Sequence, residues 1–272
     1  MCGICGAVGT FDRGHVESML ARIAHRGPDD EGVYISDPTP NASVGALGHR
    51  RLSIIDLSSA GHQPMADASG RFWMTFNGEV YNYRELREEL RGLGHEFVSG
   101  TDSETIVYAY REWGPQCVEH FNGMFAFAIW DEEKQELFAA RDRLGIKPFY
   151  WTILDGRDGG PKGFAFASEI KAFLDLPGFD RSFDFEALHQ YLTFLWVPDP
   201  RTIFSSVKKL RPGHRMLVSA ANPEPLIEEF WDVRFDVDRS TSEDEWKDRL
   251  VEGLGRAVDR RLMADVPLGS FL

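Results

Sequence analysis

A cysteine stands second in the chain, in "MCGICGAVGT", and another follows three positions later. Three roles compete for Cys2. As half of a Cys-x-x-Cys pair with Cys5 it could hold a metal or carry redox chemistry. A tetrahedral zinc site wants four ligands, however, and no second Cys/His pair at matching spacing stands elsewhere. In a strand, residues three apart also face opposite sides. As a small hydrophobe, Cys2 could simply fill a buried first strand. As a nucleophile it has an advantage of position: removal of Met1, expected before a small second residue, leaves a free α-amine on the residue that carries the thiol. An α-amine has an unperturbed pKa of about 7.7–8.0 and is partly neutral at physiological pH. It can take the thiol proton directly or through one water, so no histidine is needed. His25, His49 and His62 are therefore given no catalytic part. The basic stretch "ARDRLGIKP" lacks the glycine-rich cradle of a phosphate site, and its expected task is packing and a tight turn around Pro148.

The elements that must position these groups are readable from periodicity. "CGICGAVGTF" reads as a buried strand with close backbone approaches at its glycines. Val16, Met19, Leu20 and Ile23 recur at helical spacing before Gly27. "NYRELREELRGLG" predicts a helix with Leu86, Leu90 and Leu93 on one face, an Asn82/Glu85 capping box and a left-handed end at Gly94. A second helix starts near Asp102 and closes at Gly114. "MFAFAIWD", "ELFAARD", "FYWTI" and "GFAFAS" predict four short strands. Strand runs alternate with helical pairs, which predicts sheets packed under helices rather than regular βαβ winding. Further on, "DFEALHQYLTFLW" reads as helix, "VKKLRPGHRMLV" as a strand with a turn inside it, and "AANPEPLIEEFWDV" as loop. Ser242 opens a last helix with Trp246, Leu250, Leu254 and Val258 on one stripe.

The 272 residues are enough for one large domain, or one domain and part of another. A formal charge of −13 argues against nucleic acid as the main partner. Three cysteines, Cys2, Cys5 and Cys117, are too few for a disulfide framework and fit reduced thiols in a cytoplasmic protein. There is no signal-peptide pattern at the N-terminus, and the apolar runs are far short of a membrane span.

The N-terminus, with "HRGPDD" (25–30), "GHRRLSIIDLS" (48–58), "FNGEVYNYRELREEL" (76–90), "GTDSE" (100–104), "FNGMFAFAIWD" (121–131), "ARDRLGIKPFYW" (140–151) and "FASEIKA" (166–172), resembles the glutaminase domain of glutamine-hydrolysing asparagine synthetases. These are class II amidotransferases among the N-terminal-nucleophile hydrolases. The resemblance runs in order through at least residue 175 and continues more loosely through "WVPDPRTIF" and "KLRPGH". It implies an α+β fold, the αββα four-layer N-terminal-nucleophile sandwich, with Cys2 as nucleophile and L-glutamine as substrate.

The other implied roles follow from what glutamine demands. Arg51 matches the family arginine that grips the α-carboxylate, a task suited to a planar bidentate fork; its neighbour Arg50 is the weaker candidate. Asp102 and Glu79 match the carboxylates around the α-ammonium. Asn77 and Gly78 resemble the oxyanion pair, through a side-chain N–H and a backbone N–H. Plainer readings stay open: Arg51 in a surface ion pair, Asp102 as a helix cap, Glu79 as a solvated loop carboxylate, Asn77-Gly78 as a hairpin turn. Arg26 is a candidate for ordering the N-terminus.

The stretch "RRLMADVPLGSFL" looks like the one that, in the family, precedes a Ser-Gly-Gly-x-Asp-Ser loop gripping ATP pyrophosphate, and here the sequence stops at Leu272. The expected organisation is a glutaminase domain over 2–190, a connector over 191–240, and over 241–272 the incomplete start of an α/β ATP-pyrophosphatase domain, with a strand beginning at Val266. The glutaminase step is expected to need no cofactor and no metal. The full enzyme would use ATP and Mg2+ to amidate aspartate. A homodimer is the candidate assembly. The alternatives are a class II amidotransferase serving another acceptor, and a non-catalytic module that kept the fold.

Overall fold

The computed structural model describes residues 1–269. In chain order its elements are β1 (Gly3–Gly9), α1 (Arg13–Arg22), β2 (Asp30–Ile35), β3 (Val44–Arg51), β4 (Met65–Ala66), β5 (Phe72–Val80), α2 (Tyr83–Gly92), α3 (Asp102–Trp113) and α4 (Cys117–His120). They continue with β6 (Gly123–Asp131), β7 (Glu136–Arg141), β8 (Tyr150–Asp155), β9 (Lys162–Ala167), α5 (Phe185–Phe194), β10 (Val207–Lys209), β11 (His214–Ser219), β12 (Asn222–Glu229) and α6 (Glu243–Arg261).

The strands form two six-stranded sheets, ordered β10-β8-β9-β1-β3-β2 and β12-β11-β7-β6-β5-β4. Every pairing within them is antiparallel. Alternation along the strands explains the stacking. In β1, Ile4 and Val8 point inward and meet Ala126, Ala128 and Trp130 of β6, forming the core between the sheets. Cys5 and Ala7 point outward onto Val16, Met19 and Leu20 of α1. The far face of the other sheet is covered by α2, α3 and α4 through Leu86, Leu90, Ile106, Val107 and Val118. This is the four-layer αββα arrangement. The sheets meet closely at Gly45, where an added Cβ would lie 2.2 Å from the Trp130 ring.

Several local expectations give way to tertiary contacts. "VKKLRPGHRMLV" is not one strand with a turn: β10 pairs with β8 in the first sheet and β11 with β7 in the second, so Leu210–Gly213 carries the chain from one sheet to the other. The "loop" at 220–233 contains β12, an outer edge strand, where prolines are tolerated. Both sheets thus draw edge strands from the stretch expected to be a connector. Asn82 stands at the N-cap of α2 but makes no capping bond; its side chain donates to the His120 carbonyl (2.9 Å) and accepts from the Asn122 amide (2.8 Å). Residues 266–269 are not a strand, and the rest of the strand expected from Val266 lies outside the described residues.

α6 forms as expected, capped by Ser242, and its stripe of Trp246, Leu250, Leu254 and Val258 is exposed. No helix among the described residues is long and apolar enough to cross a membrane.

Candidate active site

The β1–β3 register, Gly3 opposite Arg50, carries Cys2 to the level of Arg51 and Leu52 at one end of the sandwich. The Leu52 amide donates to Cys2 Sγ at 3.4 Å, and the thiol lies 3.6 Å from the Leu52 carbonyl. Arg26 Nε donates to the Cys2 carbonyl at 2.9 Å while its guanidinium pairs with Glu169 at 2.9 Å, so Arg26 does order the N-terminus. Cys5 goes elsewhere: its sulfur packs where Gly48 leaves room, among Val16 and Leu20. The pair that would have shared a metal is split between a cavity and a core. Among the described residues no three His, Cys, Asp or Glu side chains come together where they could hold a metal ion.

The cavity beside Cys2 has a volume of about 140 Å³, and Arg51, Asn77, Gly78, Glu79 and Asp102 all line it. One feature of β5 makes this possible. Its neighbour β4 is two residues long and pairs only with Trp73 and Met74, so the edge of β5 beyond Met74 is free of strand partners. Amides two apart project from the same edge. Phe76 donates to Gln63 Oε1 (2.7 Å) and Val80 to Asp102 Oδ2 (2.9 Å). The Gly78 amide lies between them, on the edge that forms the cavity floor. Asn77 is buried, and its Nδ2 has no hydrogen-bond partner among the described residues. Two unspent donors therefore stand beside the thiol. The hairpin reading of Asn77-Gly78 is corrected: both lie within a continuous strand, opposite Ala126 and Phe125. Glycine is required at 78 because an added Cβ would fall 2.1 Å from the Met124 carbonyl.

Charged groups of both signs line the cavity. Arg51 is buried and makes no ion pair among the described residues; its guanidinium donates to the carbonyls of Ser58 (2.9 Å), Ile55 (3.4 Å) and Asp56. Those bonds aim the fork without neutralising it. Arg50, by contrast, pairs with Glu31. Asp102 is the first residue of α3, but the cap is Thr101, whose side chain accepts from Glu104. Burial raises the Asp102 carboxyl to about 7, with the Glu79 charge adding to the rise. Glu79 is itself raised by burial. Arg51 on one side of the charge balance and Glu79 and Asp102 on the other supply both signs that an amino-acid zwitterion needs, with the Lys147 ammonium a second cation in the lining.

The catalytic atoms show the same influence of burial. The Cys2 thiol is pushed up by desolvation, so the resting group is a thiol that needs a base. The terminal amine, here on Met1, is pushed down by desolvation, with Arg26 and Lys147 contributing, which favours its neutral, proton-accepting form. Among the described residues no histidine lines the cavity. His49 is buried between the sheets on the Phe76 carbonyl (3.0 Å) and held near 4 by burial, while His25 pairs with Glu169 and His62 with Asp30.

Two lining residues had no part in the sequence reading. Gln63 spans from the Phe76 amide to Ser103 Oγ (3.1 Å) and so holds the β5 edge against α3. Lys147 belongs to the loop read only as packing. Its backbone is tied to Asp142 (3.0 Å), and its ammonium, lowered by burial, lies in the field of Glu79 and Cys2. The only sequence signal was a lysine flanked by apolar residues in a tight turn.

The Asp102 shift carries a test. A carboxyl raised when folded holds its proton to higher pH than the unfolded chain does. Its contribution to stability therefore falls as pH rises from about 4 to about 7 and stays low above. Asp102→Asn should stabilise the substrate-free protein at pH 8 by on the order of 1–3 kcal/mol and hardly at all at pH 4. Urea unfolding at the two pH values measures the difference. An equal effect at both, or destabilisation at pH 8, would show that the carboxyl is not raised.

The comparisons agree with this geometry. Residues 1–231 match the model of the glutamine amidotransferase domain. The chain is 35% identical to the glutamine-hydrolysing asparagine synthetase 1 of Bacillus subtilis (strain 168), over 99% of its own length and 42% of that protein. It is 38% identical to the amidase chry2 of Gibberella zeae, over 94% of its length and 36% of that protein. It therefore spans less than half the length of these relatives. Among solved structures, the glutamine phosphoribosylpyrophosphate amidotransferase of B. subtilis superposes with a TM-score of 0.60 at 18% identity, covering 88% of this chain and 50% of that one; the fold is shared. With a family match that takes in β1 through β12 and all six candidate residues around one cavity, the chain belongs to the glutamine amidotransferase domain family.

Proposed function

We propose that the chain hydrolyses the side-chain amide of L-glutamine to glutamate and ammonia through a thioester on Cys2. The observation that carries this reading is the pair of unspent donors, Asn77 Nδ2 and the Gly78 amide, lining one cavity with Cys2, Arg51 and the two carboxylates. The side chain of Met1 is 60% exposed, open to removal, and its loss puts the α-amine on Cys2. That amine takes the thiol proton as sulfur attacks the amide carbon. The carbonyl oxygen, now an oxyanion, accepts from Asn77 and Gly78. Collapse breaks the C–N bond, and the proton held on the amine passes to the departing nitrogen, which leaves as ammonia. Water, deprotonated by the same amine, cleaves the thioester to give glutamate and return the thiol.

The deciding measurement is ammonia release from L-glutamine by the protein with Cys2 at its N-terminus. Folded protein that releases none would overturn the reading. Arg51→Lys keeps the charge but loses the fork, so KM should rise roughly 10–100-fold with kcat nearly unchanged. A fall in kcat at constant KM would remove Arg51 from the carboxylate subsite.

For the whole protein we infer ATP- and Mg2+-dependent amidation of aspartate with the ammonia formed here, with residues 241–272 opening the domain responsible. The relatives' names and the motif resemblance support this.

A further inference from the structure

The loop that holds Arg51 is tied down from an unexpected direction. Asp56 has φ +53°, in the left-handed region, and each of its polar groups is used. Its carbonyl receives the Arg51 guanidinium. Its carboxylate accepts from Ser58 and, at 2.7 Å, from the amide of Gly100, two residues before Asp102. Asp56 thus links the Arg51 guanidinium to the backbone that leads into Asp102. Its own amide donates to Asp265 Oδ2 at 2.7 Å, from the segment that follows α6.

That segment and the end of α6 are seated at three points. The Asp265 amide donates to the Ile54 carbonyl at 2.9 Å. Met263 packs on the apolar cluster beneath α2 and α3. At the last residue of α6, the Arg261 guanidinium lies 4.6 Å from the centre of the Tyr81 ring, two residues on from Glu79. The rest of α6 is largely exposed, so the anchorage is concentrated at its end and after it.

We propose that Asp265 is a positioning residue of the glutamine pocket: by holding the Asp56 amide it fixes the loop whose carbonyls aim Arg51, so the segment after α6 sets the affinity for the α-carboxylate. This rests on the glutaminase reading above. Asp265 touches no reacting atom, so its effect belongs in KM.

The test compares wild type, Asp265→Ala and Asp265→Asn as full chains. Asp265→Ala leaves the Asp56 amide to water and should raise the KM for L-glutamine about fivefold or more, with kcat within about twofold. Asp265→Asn retains an acceptor oxygen and should recover most of the loss. Alkylation of Cys2 by iodoacetamide, which has no α-carboxylate, should proceed at the wild-type rate in all three, and a large change would reveal general disruption of the site and overturn the assignment. Cys5 and Cys117 are fully buried and will not obscure the reading. An active wild type with unchanged KM in Asp265→Ala, or a fall in kcat alone, overturns the positioning role. A wild type that does not hydrolyse glutamine overturns the reading beneath it instead.

Discussion

Cys2→Ala should lower glutamine hydrolysis by about 10⁴-fold or more while leaving the protein folded. The sulfur is the atom that forms the bond, and the lining hydroxyls of Thr101 and Ser103 are engaged by the Glu104 amide and Gln63. Its structural contribution is small. It makes only the two long contacts to Leu52, so the loss of stability should stay within about 1 kcal/mol. Extending the N-terminus permanently beyond Cys2 should be as damaging as removing the thiol, because it converts the base into an amide. Cys5→Ala gives the opposite profile. Cys5 is fully buried in the core under α1, so the change should cost about 1 kcal/mol of stability and leave turnover intact. Steady-state ammonia release and urea unfolding on the three variants separate these outcomes. Turnover surviving in Cys2→Ala would end the thioester mechanism.

Asn77→Ala should reduce kcat by roughly 10²–10³ with little change in KM, because the oxyanion exists only beyond the ground state. The structure adds a second expectation. Nδ2 of Asn77 has no hydrogen-bond partner among the described residues and lines the cavity, so no network depends on it. Removing it should change stability by less than about 1 kcal/mol, so the variant is slower without being much weaker. A residue kept for packing would behave in reverse, losing stability before rate. If KM alone moved, Asn77 would be a substrate contact and the oxyanion would depend on Gly78 alone.

Much of this was legible without coordinates. The alternation in "GICGAV" and "MFAFAIW" announced strands with two apolar faces, and the stripe Leu86, Leu90 announced the helix above them. The six motif-matched residues converge on one cavity because the motifs follow strand ends and helix starts, where a sandwich exposes its backbone. Elsewhere local rules named the wrong partner. Asn82 has a capping residue's chemistry, yet finds better-placed groups at His120 and Asn122, more than 35 positions away. Thr101, not Asp102, caps α3, which frees the Asp102 carboxylate for Val80 and the cavity. β12 was hidden by its prolines, which an outer edge strand tolerates and a central strand would not.

By itself, the sequence determined the element types, the faces they bury and the residues able to do chemistry, because helix and strand periods depend on neighbours along the chain. Only the tertiary structure decided which of those groups are unspent and how they are charged. The Gly78 amide is available because β4 is too short to cover it. Asp102 is raised because burial penalises its charge, and Arg51 is aimed by a loop that a residue more than 200 positions away holds in place. Edge coverage, desolvation and long-range hydrogen bonds depend on which surfaces meet, and that is settled only when the whole chain has packed.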